Sequence, residues 1–379
     1  MQRGIAVVEP QMEAMFHAPF NAALLHAVAL AYPGVAVSFR GFPDHLRIVR
    51  GILEQQAPEA AQRIEWRVTP LAGAGSLIAR WRQAGRVMRE VLRAKERVVF
   101  CSISRMQLLV LKRAMRDGDD VRAVLHGDLD QIAQPPRERF PMSLMSLHRV
   151  LLQKNAGTLR YVLLSESIRA HVPQAFAAAF ANAGVIDHPY HFFPLQEASH
   201  ALPKPMVLGM FGNTGDGRLL EQVARAVKAA NPEVRFRLVG FLADDAAVER
   251  LQPFVEDVGA VPISREVFLE RAEGVTHTLW LATTDSFQLR ASGTFFDALA
   301  YAKPLVYTAN PFIDPYYAME PGIGVRCETM GDVPGSILEL AACSTVEEYA
   351  AARAAMLRLR KRFTPHALAE RLPASLGWS

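Results

Sequence analysis

The residues best suited to chemistry cluster between Ser286 and Thr308, in the run SFQLRASGTFFDALAYAKPLVYT. A polar loop leads to the small-residue turn Ser292-Gly293-Thr294, then to a helical segment carrying Asp297, and then to a strand from Pro304. This pattern reads as a phosphate site. Ser292 or Thr294 is expected to cap the helix, and Gly293 lets another molecule approach the backbone. The free N–H groups and the positive end of the helix dipole favour an anion there. Asp297, one turn on, is placed to accept hydrogen bonds from sugar hydroxyls.

A second glycine-rich strand-to-helix turn lies earlier. Gly212, Asn213, Thr214, Gly215, Asp216 and Gly217 lead into Arg218 and a helix, a plausible phosphate cradle. It matches neither the strict dinucleotide fingerprint nor a Walker loop. In the first half, His126-Gly127-Asp128-Leu129-Asp130 follows a strand. His126 and Asp128 are groups that serve as a general base or orient a hydroxyl. Asp128 and Asp130 match a two-carboxylate metal motif formally, but the motif is too short to assign a metal. Glu9, Glu13 and His17 follow the first strand, where α/β sheets bind ligands.

These groups need α/β elements to hold them. The chain has 379 residues, half of them hydrophobic and 21% charged, enough for two domains with cores. Ile5 to Val8, Val35 to Phe39, Ile64 to Val68, Val98 to Ser102, Val121 to Leu125 and Arg160 to Leu164 read as strands. Helices are expected between them, over Ala22 to Ala31, Gln107 to Met115, Ser143 to Lys154 and Ile168 to Ala183. That alternation argues a parallel sheet. The pattern starts again at Met206 to Phe211, with strands at Arg235 to Phe241, Thr278 to Ala282 and Gly322 to Arg326. Helices are expected at Leu219 to Ala230 and Ser264 to Ala272, an aromatic loop at Asn310 to Tyr317, and a basic helical tail from Thr345 to Arg371. The expected division is a first domain over 1–195, a linker at 196–205, a second domain over 206–345, and a tail at 346–379 packing back on the first domain.

Leu77 to Arg97 reads as an amphipathic basic helix, with Arg82, Arg86, Arg89, Arg93 and Arg97 in a stripe. Such a stripe suits a solvated face or contact with anionic lipid. No apolar run reaches the roughly 18 residues of a membrane span, and the N-terminus carries no signal-peptide pattern. Three cysteines without metal spacing fit a reduced, cytoplasmic setting. A net charge of +4 is too mild to argue for nucleic acid.

The two α/β halves, with a phosphate-binding turn late in the second, resemble the GT-B fold: two Rossmann-like domains facing across a cleft. From Met206 to Val306 the chain is similar to the donor-binding half of bacterial group 1 (polysaccharide-type) glycosyltransferases, above all in S-G-T-x-x-D-A-L-A-Y-A-K-P-L-V. The resemblance implies glycosyl transfer from a nucleoside-diphosphate sugar to a hydroxyl acceptor, a lipid-linked or polysaccharide intermediate, with no metal or cofactor. It places Asp297 on the ribose, Ser292, Gly293 and Thr294 on phosphate oxygens, the main chain at Val261 on the base, and Arg218 before the diphosphate, with Arg290 a second candidate. It gives Leu77 to Arg97 a membrane-surface role, while Glu13 and His17, by their place after the first strand, are the candidates for acceptor binding. The chain departs from the family pattern at Leu289, where its first Glu would stand, and at Ala302, where it has Gly. The alternatives are a non-catalytic nucleotide-sugar-binding protein or a GT-B-type epimerase.

Overall fold

Unbroken aliphatic burial makes Ile5–Val8 (β1) the centre of the first sheet: all four side chains are inaccessible. A strand covered on both faces reads as a continuous apolar run, and this one does. The computed structural model describes residues 3–69, 77–136, 139, 142–193, 195, 204–215, 217–283 and 285–378. Around β1 lie Val37–Gly41 (β2), Ile64–Val68 (β3), Arg97–Phe100 (β4), Asp120–Val124 (β5), Thr158–Leu163 (β6) and Gly184–Val185 (β7). Among the described residues they form a parallel seven-stranded sheet in the order β3-β2-β1-β4-β5-β6-β7. Strand order reverses between β1 and β4, where Ile5 pairs with Arg97 and Val8 with Phe100.

The second sheet is built from Val207–Asn213 (β8), Arg235–Phe241 (β9), His277–Trp280 (β10), Leu305–Thr308 (β11) and Gly324–Cys327 (β12). It is parallel, in the order β12-β11-β10-β8-β9, so its reversal falls between β8 and β10. Each sheet has its own buried aliphatic core, and the chain divides into two compact units. The first is Met1–His191 with Leu289–Ala291 and Arg362–Ser379; the second is Phe192–Gln288 with Ser292–Lys361. The expected linker lies largely outside the described residues, at 196–203. The stretch 346–379, read as one tail, is divided between the units after Lys361.

Several expected helices change form, each for a local reason. The helix expected over Thr345 to Arg371 is two, Val346–Arg360 and Pro365–Leu376. Thr364 accepts from the Ala367 N–H at 3.3 Å, and Pro365 opens the second helix, where its missing N–H is no loss. The helix expected over Ile168 to Ala183 ends at Ala170, ahead of Pro173, and resumes as short turns. The Ser143 to Lys154 helix is reduced to Leu147–Leu152 after a 3-10 turn. Asn310 to Tyr317 is not a plain loop, because Asp314–Met319 is helical. Helices Pro43–Gln56, Pro58–Arg63, Asp245–Leu251 and Val333–Cys343 are additions to the expected set.

The basic helix is Leu77–Arg93. Ala84, Val87, Met88, Val91 and Leu92 are buried, while Arg82, Arg86, Arg89 and Arg93 stay exposed. Arg97 does not belong to that stripe. Lys95 adopts φ 54°, which ends the helix, and Arg97 opens β4 with its guanidinium 5.6 Å from the Trp378 ring. Helix Ala18–Ala31 is apolar nearly all round and lies against Pro365–Leu376; the Tyr32 hydroxyl donates to the Trp378 carbonyl at 3.3 Å.

Candidate functional site

In the second unit the candidate groups converge at the strand-order reversal. Gly212, next to last in β8, adopts φ 75°, and a Cβ there would sit 2.8 Å from the Thr294 methyl. The glycine is therefore required twice, by its backbone angle and by the close approach of the Ser292-Gly293-Thr294 turn. From β9, a Cβ at Gly240 would lie 1.9 Å from the Gly212 carbonyl oxygen, so the floor of this corner is bare backbone. Asn213 Oδ1 accepts from the Gly215 N–H at 2.9 Å, and the Thr214 hydroxyl donates to the Phe241 carbonyl at 3.3 Å.

Ser292 precedes helix Gly293–Ala300, but neither Ser292 nor Thr294 caps it through a side chain. That expectation is corrected by Trp280, at the end of β10. Its indole N–H lies 3.0 Å from Ser292 Oγ and 3.2 Å from Thr294 Oγ1, while the two hydroxyls are 2.9 Å apart. One hydroxyl hydrogen joins the pair, so the other is left to donate elsewhere. The first N–H groups of the helix are thus not claimed by a cap. Gly293 is exposed, with nothing within 4 Å of where a Cβ would be. Asp297 is half-buried one turn further on; burial and then its charge push the Tyr301 hydroxyl pKa up. Nothing along the chain singles out Trp280, since a tryptophan in a buried strand reads as core.

The remaining donor-side candidates are more dispersed. Arg218 is exposed at the start of helix Arg218–Ala230, in a surface groove with Arg225 and Arg250, both of which pair with Glu221. Val261 is 74% exposed on the loop that follows Gly259. Arg290 lies in the first unit, its Nε 3.0 Å from Asp130 Oδ2. Leu289, in the place of the family's first Glu, is 1% exposed in the first unit's core.

The first unit fills its own reversal with polar side chains. Glu9 follows β1 and is wholly buried. Its Oε1 accepts from the Ser102 hydroxyl at 2.5 Å and from the Gln11 and Met12 N–H groups at 3.1 and 3.2 Å. Its Oε2 accepts from Asn21 Nδ2 at 3.1 Å. The same amide lies 2.8 Å from His45 Nε2, and His45 Nδ1 lies 2.8 Å from the Ala14 carbonyl. A carbonyl only accepts, so His45 carries its proton on Nδ1 and receives the amide on Nε2. Asn21, His45 and Ser102 escaped the sequence reading, because single polar residues within apolar runs carry no spacing signal.

This network pins the loop bearing Glu13 and His17. Glu13 is exposed, whereas His17 stacks on His126 with ring centroids 4.5 Å apart and planes at 27°. Phe20 meets the His126 edge at 4.5 Å. Burial, then His17 and His188, hold His126 well below the ordinary histidine pKa, so it is neutral. Burial raises the Asp128 pKa, against Arg105 and a 3.1 Å hydrogen bond from Gln131. Among the described residues no group of three His, Cys, Asp or Glu is arranged to hold a metal ion. None of their helices is long and apolar enough to cross a membrane.

No protein-family model and no curated protein matches the chain. Solved structures do. Anabaena HepE in complex with UDP-glucose superposes with a TM-score of 0.64 at 14% identity, over 99% of this chain and all of that one. TarM gives a TM-score of 0.67 at 9% identity, over 99% of each chain. A Thermobaculum terrenum O-GlcNAc transferase gives 0.56 at 13% identity, over 99% of this chain and 66% of its own. At these identities the likeness speaks to fold, and together with two parallel Rossmann-like sheets in one chain it shows that the chain has the GT-B fold.

Proposed function

We propose that the protein transfers a sugar from a nucleoside-diphosphate sugar to a hydroxyl acceptor on a glycan or lipid-linked intermediate. The observation that carries this reading is the open, uncapped turn at Gly293, set against the Gly212 backbone and followed by Asp297. Bare amides at a helix start and a carboxylate one turn away suit a diphosphate and its ribose. HepE, which shares the fold, was solved with UDP-glucose.

Bond breaking places charge on the leaving diphosphate. The helix amides and the remaining Ser292 or Thr294 hydroxyl hydrogen would stabilise it, with Arg218 at the neighbouring helix start, by preorganised electrostatics and without a metal. In the first unit, Asp128 is assigned the acceptor base for an inverting course, since its raised pKa makes it the better proton acceptor. Neutral His126, with His17, orients the acceptor hydroxyl. A retaining course needs no such base.

Thermal-shift titration with uridine, guanosine, adenosine and thymidine diphosphates tests the donor site, because a ligand bound only by the native state raises the melting temperature. One of them should stabilise the protein, and Asp297→Ala should weaken that nucleotide roughly tenfold, the loss of about 1.4 kcal/mol. Unchanged affinity in the variant removes the ribose assignment. We further propose a cytoplasmic protein resting on anionic membrane through Arg82, Arg86 and Arg89. Each contributes about 1 kcal/mol to lipid attraction at low salt. Co-sedimentation with phosphatidylserine vesicles should therefore be lost when all three become Gln, and retention would discard the membrane role.

A further inference from the structure

The second unit has a cavity at the opposite edge of its sheet from Gly293. It opens beneath the amino ends of β10, β11 and β12, walled by helices Val333–Cys343 and Val346–Arg360, and measures about 360 Å³. A second hollow of about 420 Å³ adjoins it across His277, Leu340 and Ser344. Volumes of this size suit small-molecule ligands.

The Thr276 hydroxyl donates to the Val207 carbonyl at 3.0 Å and accepts from the Val207 N–H at 3.0 Å. His277 Nδ1, 3.0 Å from that oxygen, must then carry the proton and donate to it, which leaves the lone pair on Nε2. Burial and the nearby Lys303 ammonium keep this imidazole neutral, its pKa lowered to about 4. Lys303 itself is turned to the Glu273 and Val275 carbonyls. The Tyr349 hydroxyl donates to the Thr276 carbonyl at 3.0 Å, so its hydrogen is committed while the ring stays part of the lining. Glu339 and Glu348 add carboxylates, and Leu305, Val325 and Leu340 supply apolar surface. The wall therefore presents an imidazole lone pair, an aromatic face and two carboxylates, of which Glu348 also accepts from the Thr345 N–H at 2.9 Å, together with the Ser336 and Ser344 hydroxyls.

We infer that this cavity is a second ligand site, and that it takes a small organic amine with an apolar body. The ammonium would donate towards Glu339, Glu348 and His277 beside the Tyr349 ring, while the body lies on Leu340 and Val325. This reading does not depend on the glycosyl-transfer proposal.

Cys343 lines the cavity and is exposed, whereas Cys101 and Cys327 are buried, so its alkylation reports on occupancy. The experiment follows iodoacetamide labelling of Cys343 in the full chain with 2-phenylethylamine or 3-phenylpropionate present. The amine should slow labelling several-fold at saturation, and the carboxylate should not. Glu339→Gln, at an exposed position, should raise the amine concentration needed roughly two- to fivefold, as expected for one partly screened ion pair. Leu340→Trp should abolish protection by occupying the space; circular dichroism and the melting temperature verify its fold, and Glu339→Gln remains the test if it does not fold. Equal protection by both compounds, no protection by the amine, or a Cys343 that does not react would each overturn the inference.

Discussion

The two units solve the same topological problem in opposite ways. Each parallel sheet reverses its strand order once, which opens a crevice at the carboxyl ends of the strands. In the first unit that corner is closed by a carboxyl group: Glu9 after β1 meets Ser102 after β4 at 2.5 Å, and Asn21 and His45 extend the network. In the second it is lined by backbone, with Gly212, Gly240 and the Gly293 turn leaving amides uncovered. A buried hydrogen-bonded network holds a loop in place, although Asn21 Oδ1 is left without a partner in it. Bare backbone has little rigidity of its own but admits a guest. The first unit thus builds a support for His17 and His126, and the second an opening.

The largest expected break in this contrast is Glu9→Ala. It strands the Ser102 hydroxyl, the Asn21 amide and two N–H groups inside the protein, at about 3 kcal/mol or more. Urea unfolding followed by hydrogen exchange should show the first sheet losing protection while the second keeps it; a uniform loss would deny the network its local role. Next is Gly293→Val. Space is open at this position, so stability should shift by no more than about 0.5 kcal/mol, as for an ordinary surface change. Nucleoside-diphosphate binding measured by calorimetry should nonetheless weaken roughly tenfold or more, because a branched side chain stands between phosphate and amides. A variant that binds normally would show the anion to sit elsewhere.

A further difference between the units is expected in acid. His26, His191 and His188 have folded-state pKa values lowered to about 4, 4 and 3, chiefly by burial, and all three lie in the first unit. His277 is their counterpart in the second. An unfolded chain takes up these protons near pH 6.5 and the folded one does not. Stability is therefore complete above that pH and falls as pH drops towards 4, by at most about 1.4 kcal/mol per pH unit for each group. Hydrogen exchange at decreasing pH should open β1 to β7 before β8 to β12. The reverse order would mean that the buried histidines do not govern acid sensitivity.

Why one corner was legible in the sequence and the other was not follows from the same contrast. Backbone sites advertise themselves: Gly212, Ser292-Gly293-Thr294 and Asp297 sit at fixed distances along the chain, and strands such as Ile5–Val8, a continuous apolar run, and Ile64–Val68 and Arg235–Phe241, where apolar and charged residues alternate, match their expected limits. Side-chain networks are assembled from afar. Glu9, Asn21, His45 and Ser102 come from four separate segments, and no periodicity links them. Arg290 shows the limit from the other side. Its position in the chain suggests the diphosphate, and the fold adds a pairing with Asp130 that no spacing reveals.

The interleaving of the units bears on how the protein can be cut or recombined. The first unit takes Leu289–Ala291 from within the second unit's stretch of chain and Arg362–Ser379 from beyond it, and Leu289, Leu372 and Trp378 are part of its core. A fragment ending near residue 195 would expose the face of helix Ala18–Ala31 that helix Pro365–Leu376 covers, and should collect in inclusion bodies. A chimera that exchanges donor specificity must keep the last eighteen residues with the first unit. Swapping at a single junction would graft a foreign terminus into a native core.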